Sequence, residues 1–210
     1  MMTYPNAAAG LKTVYQARLV GLISIVLVIV PIVQVLAVAA MLIAGFLALV
    51  GLAQCRKDDK GYRIAFNMII ASLVTDLSTN LVSAYAGIEG FAGICGNILS
   101  IATDVLSLAS LYFVCITTNR LLKETAAAEN LIDRGIVVWK LNVVCTVILL
   151  VCYMLQLIPG NIEAIIAGYL AIFALIAQIV GNVLYMLYLH NAYRVLEAVI
   201  PPEEQVQQMM

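Results

Sequence analysis

The sequence predicts an all-α membrane protein of six transmembrane helices, arranged as three antiparallel hairpins with both termini in the cytoplasm. Three observations carry that expectation. The chain is apolar almost throughout, its basic residues cluster between the apolar runs, and one polar motif occurs twice, once on each side of a glycine.

Of 210 residues, 64% are hydrophobic and 11% charged, with a mean hydropathy of +1.04. Those fractions lie far outside the range of a soluble domain. Five cysteines, at 55, 95, 115, 145 and 152, show no Cys-x-x-Cys spacing, and there is a single histidine. Neither a disulfide framework nor a metal site is indicated, and the thiols read as small apolar fillers. No phosphate-binding loop or dinucleotide fingerprint occurs. No cofactor, enzymatic activity or nucleic-acid partner is expected.

Residues 1–12 read as a short lead, 13–194 as the transmembrane domain and 195–210 as a polar tail. From Leu19 to Ala53 the only weak interruptions are Ser24, Pro31 and Gln34. A single helix over that run would be about 52 Å long, more than tilt absorbs in a ~30 Å hydrocarbon core. Two helices must share it. Pro31 has no backbone donor and disfavours helix at Val30, which places a tight hairpin at Pro31–Gln34. Helix 1 is expected over 13–31 and helix 2 over 34–54. A cleaved secretory signal ending near Ala37-Val38-Ala39 competes with this reading. It would leave Ala40–Ala53, too short for the ~17 residues a span needs.

Arg56, Lys57, Asp58, Asp59 and Lys60 make the first aqueous loop, and helix 3 follows over 63–86. Gly87 to Gly90 is the return, and helix 4 runs over 91–119, with Gly90, Gly93 and Gly96 offering a close-approach edge. Residues 120–133 read as a short amphipathic helix on the membrane surface. Helix 5 starts near Gly135, anchored by Trp139 and Lys140, and ends before Pro159. Helix 6 covers 162–190. Under this scheme all 11 Lys and Arg residues fall on one face, while the other has only Glu89 and Glu163. The positive-inside rule then puts both termini in the cytoplasm, with the plasma membrane as the expected location.

The repeated motif is Ser72-Leu73-Val74-Thr75-Asp76-Leu77 and Ser100-Ile101-Ala102-Thr103-Asp104-Val105. Each aspartate lies 14 positions from Gly90. At 1.5 Å per residue, the pair sits about 16 Å down its helices, near the midplane of the bilayer. Helical spacing puts Ser72, Asp76, Thr79, Asn80 and Ser83 on one stripe of helix 3, and Asn97, Ser100, Asp104 and Ser107 on one stripe of helix 4. Helix 5 adds Asn142 and Thr146, and helix 6 adds Gln178 and Asn182. Helices 3 to 6 are therefore expected to enclose a polar core, lined by Ser72, Asn80, Asn97, Ser100, Gln178 and Asn182. Helices 1 and 2 are left as an apolar flank.

Ionisable groups at that depth are costly and are functional candidates by default. No Lys or Arg is expected at their level, so Asp76 and Asp104 are read as an ion- or proton-binding pair. One reading is a small proton- or cation-coupled secondary transporter, taking a small cation, proton or small-molecule substrate. The other is a non-catalytic accessory or regulatory subunit, whose polar core holds helices together and whose partners are the lipid bilayer and another subunit. Intramembrane aspartyl proteases also pair two aspartates, in Tyr-Asp and Gly-x-Gly-Asp motifs. This chain has Thr75-Asp76 and Thr103-Asp104, which sets it apart from them.

Overall fold

The structure is a computed structural model that describes residues 3–28, 34–86, 90–125, 129–156 and 161–200. Six helices follow in order: α1 (Pro5–Val28), α2 (Gln34–Cys55), α3 (Lys60–Ala86), α4 (Gly90–Glu124), α5 (Glu129–Gln156) and α6 (Asn161–Ala198). No strand occurs among the described residues. The hairpin turn expected before Gln34, most of the return before Gly90 and the tail from Pro201 lie outside them.

Among the described residues, α2 to α6 each contain a segment long and apolar enough to cross a membrane. Their outer faces carry the large exposed side chains such a setting requires, among them Val35, Leu42, Phe46 and Phe173. Among the described residues the protein is all-helical, and five of its helices are long and apolar enough to span a membrane. The most extensive packing is α1 on α2, α3 on α4 and α5 on α6; α2 meets α3, α4 meets α5, and α1 meets α6. The six helices thus close into a ring.

Among the described residues, the buried core lies at one end of that ring. There the start of α1, the end of α2, the start of α3, the end of α4, the start of α5 and the end of α6 come together around Leu11, Leu52, Tyr62, Leu122 and Leu189. Several helix ends run past the boundaries expected from hydropathy, and this core is the reason. Helix α1 starts at Pro5 rather than 13, because Ala7, Ala8 and Leu11 are buried. Proline suits the first helical position, where no amide donor is needed. Asp58 then accepts hydrogen bonds from Ala7 N and Asn6 Nδ2, both at 2.7 Å, placing a carboxylate against the free donors of the first turn. Asp59 does the same for α3 by accepting from Gly61 N at 2.6 Å.

The separate surface helix expected over 120–133 is not formed. Helix α4 continues to Glu124 and α5 begins at Glu129, because Leu121, Leu122, Leu131 and Ile132 are buried against the bundle rather than turned to lipid. Helix α6 likewise runs on to Ala198, with Ala192 and Leu196 buried. Charged groups rim this end: Lys12 pairs with Glu197 at 3.6 Å, Arg120 pairs with Asp59, and the Tyr4 hydroxyl donates to Glu124.

Candidate functional site

Helices α3 and α4 are joined by side-chain bonds that set their register. Tyr62 and Thr118 hydroxyls lie 2.9 Å apart, and Ser72 and Ser107 hydroxyls 2.8 Å apart. The members of the first pair stand 28 positions either side of Gly90, and those of the second 18 and 17. The helices are therefore antiparallel and symmetric about Gly90. Asp76 and Asp104, each 14 positions away, are brought level.

Below the aspartates the helices line a half-open cavity of about 380 Å³. Its wall includes Ser72, Ile69 and Leu73 of α3, Ser107 of α4, and Asn182 and Met186 of α6. At 100° per residue, Asp76 projects within about 60° of Ile69, Ser72 and Leu73, and Asp104 within about 60° of Ser107. The carboxyls therefore continue the lining stripes one helical turn beyond the cavity. Asp76 is exposed and Asp104 half-buried, so the pair borders open space rather than packed core.

The polar neighbours of the pair spend their hydrogen bonds elsewhere. Thr75 donates to Ala71 O, Thr79 to Thr75 O, Thr103 to Leu99 O, and Asn80 to Asp76 O, all along their own helices. Ser72 is engaged with Ser107. This is the local bonding that Ser, Thr and Asn commonly adopt inside helices.

Of the six residues expected to line a polar core, Ser72 and Asn182 reach the cavity. Gln178 stands one turn above Asn182, whose amide donates to its carbonyl at 3.0 Å. Ser100 is half-buried, while Asn80 and Asn97 are exposed. Asn142 of α5 donates to Val138 O and lies against Gly181, away from the cavity wall.

The reading of α1 and α2 as an apolar flank is corrected by the structure. Arg18 and Ser24 of α1, together with Met41, Ala44, Gly45 and Ala48 of α2, line the cavity, and among the described residues none of α5 does. Arg18 is also not an interfacial anchor preceding a helix. Because α1 starts at Pro5, Arg18 stands about 20 Å along it at 1.5 Å per residue. Its guanidinium lies over the Tyr185 ring, 5.3 Å from the centroid, and its Nε is buried with no acceptor among the described residues. A cation thus lines the cavity beneath the aspartates. A signal was available in the small residues Gly10, Ala17, Gly21 and Ser24, which mark a packed face of α1 beside Arg18.

Comparison with known proteins finds no matching family, no similar curated protein and no matching solved structure.

Proposed function

We propose that this protein is a small proton-coupled secondary carrier of the plasma membrane, with six spanning helices and both termini cytoplasmic, and with Asp76 and Asp104 as its coupling pair. The observation that carries the reading is the placement of the pair. Two level carboxyls border open space one turn from a cavity, and their Ser, Thr and Asn neighbours are bonded along their own helices or to each other. Carboxylic acids serving as glue between helices would hold those neighbours instead.

A proton bound by either carboxyl removes like-charge repulsion across the α3–α4 seam, and its release restores that repulsion. Protonation thereby biases how closely two cavity-lining helices pack. That is a two-state element of the kind alternating access requires.

The test is proton flux into proteoliposomes, comparing wild type with the Asp76→Asn/Asp104→Asn double variant. Asn keeps similar size and hydrogen-bonding capacity but cannot titrate. The expected outcome is flux in wild type and none above empty vesicles in the double variant. Equal flux in folded samples would remove the coupling role and leave the accessory-subunit reading.

A further inference from the structure

We infer that the cavity is a binding site for a small organic anion, a carboxylate on an apolar body, with Arg18 as the group that recognises the charge. The inference names the cargo of the carrier proposed above and rests on that reading for its transport role, whereas binding is measurable without it.

Three features lead to an anion. Among the described residues, Arg18 is the one charged residue on the cavity wall, and no acidic residue accompanies it there. Among the described residues it has no carboxylate partner; its guanidinium lies over the Tyr185 ring, and its Nε is shut off from solvent without an acceptor. A buried Nε without an acceptor leaves one donor of the half-buried guanidinium uncompensated, and a planar carboxylate would supply the acceptor in matching geometry.

The rest of the wall describes the body of the ligand. Leu22, Met41, Ile69 and Met186 make it mainly apolar. Part of the polar capacity is already used, since Ser24 donates to Gly21 O and Ser72 bonds Ser107. Small residues of α2 keep the space open: a Cβ added at Gly45 would meet nothing within 4 Å. A volume of about 380 Å³ would hold roughly a dozen water molecules at ~30 Å³ each, and so an organic acid of about a dozen non-hydrogen atoms. Pockets of about this size, mostly apolar with few polar groups, are the usual form of a small-molecule site.

A carboxylate could come from a free solute, and the same guanidinium could hold the phosphate of an anionic lipid. The experiment separates the two. The probes are naphthoate and its uncharged counterpart naphthamide, which have nearly the same shape, titrated into the protein in phosphatidylcholine nanodiscs at neutral pH. Expected is saturable naphthoate binding, at least about tenfold tighter than naphthamide and weakened at least about tenfold in Arg18→Gln, as for a charge-assisted hydrogen bond. Gly45→Leu fills the cavity without touching Arg18, and it should abolish naphthoate binding while the protein stays folded. It serves as the second test should Arg18→Gln fail to fold.

Absence of saturable naphthoate binding, equal affinity for the two probes, or affinity unchanged in either variant overturns the inference. The same titration in phosphatidylglycerol nanodiscs at high salt, where surface repulsion is screened, should give the same affinity. Loss of binding there assigns the site to a lipid headgroup and contradicts a free solute. Naphthoate binding without aspartate-dependent proton flux would sink the carrier reading and keep the anion site. Aspartate-dependent flux without naphthoate binding would do the reverse.

Discussion

The hydroxyls of Ser72 and Ser107 meet at 2.8 Å across α3 and α4, and that contact brings Asp76 level with Asp104 one turn further along. The same two serines line the cavity. One bond therefore ties the register of the hairpin to the position of the carboxyl pair above the cavity.

The α1–α2 crossing depends on two glycines. A Cβ at Gly10 would fall 2.4 Å from both Gly51 O and Cys55 Sγ, and one at Gly51 would fall 2.7 Å from Gly10 O. Backbone cannot yield as a flexible side chain can, so Gly10→Ala should destabilise by about 1–3 kcal/mol through overpacking. Gly45→Ala, with open space around its Cβ, should be neutral or slightly stabilising. Reversible denaturation in detergent measures both, and an unperturbed Gly10→Ala protein would show that the helices do not cross this closely.

At the opposite corner, Asn119 joins three helices. Its amide donates to Ile132 O at 3.1 Å, and its oxygen accepts from the Tyr188 hydroxyl at 2.8 Å, all in buried surroundings. Tyr188→Phe keeps the ring but strands a buried acceptor, an expected loss of about 1–3 kcal/mol in the same assay. A change within error would mean that the Asn119 oxygen is satisfied some other way.

Tyr4 gives a pH signature at the rim. Its bond to Glu124, and then partial burial, push the phenol up from 10.0 to about 12. The folded protein holds this proton more tightly than the unfolded chain does. The contribution to stability is therefore complete below about pH 10 and is lost as pH rises through about 12. In the absorbance difference between wild type and Tyr4→Phe, the tyrosinate step should lie near about 12, and Glu124→Gln should move it down towards 10.0. A step unaffected by Glu124→Gln would show that the bond is not the cause.

Much of this arrangement was legible in the chain. The symmetry of the two Asp-containing motifs about Gly90 anticipated the α3–α4 register, because an antiparallel hairpin pairs residues equidistant from its turn. Hydropathy located all six helices but misjudged their ends. Lys12 and Arg120 looked like the edges of apolar spans, yet their side chains pair with Glu197 and Asp59 at the rim while the helices carry on beneath them. The place of Arg18 was hidden for the same reason. A basic residue beside an apolar run reads as a membrane-surface anchor, and only the earlier start of α1, held by Asp58 from the α2–α3 connection, carries it into the cavity wall.

Orientation is testable by labelling in a cysteine-free background. A cysteine replacing the exposed Lys57, on the turn between α2 and α3, should react only with reagents that reach the cytoplasm, whereas one replacing Glu89 should react from outside. The reverse pattern would contradict cytoplasmic termini, and labelling of both from one side would contradict an α3 that crosses the membrane.

The most direct measurement is a proton-uptake titration of reconstituted wild type against the Asp76→Asn/Asp104→Asn double variant, across the pH range in which both remain folded. A coupling pair binds and releases a proton in the folded protein, so wild type should take up about one proton more than the double variant, and each single variant should retain part of the difference because one carboxyl remains. Superimposable titration curves for wild type and the double variant would mean that Asp76 and Asp104 do not change charge in the folded state, which contradicts the proposed coupling site.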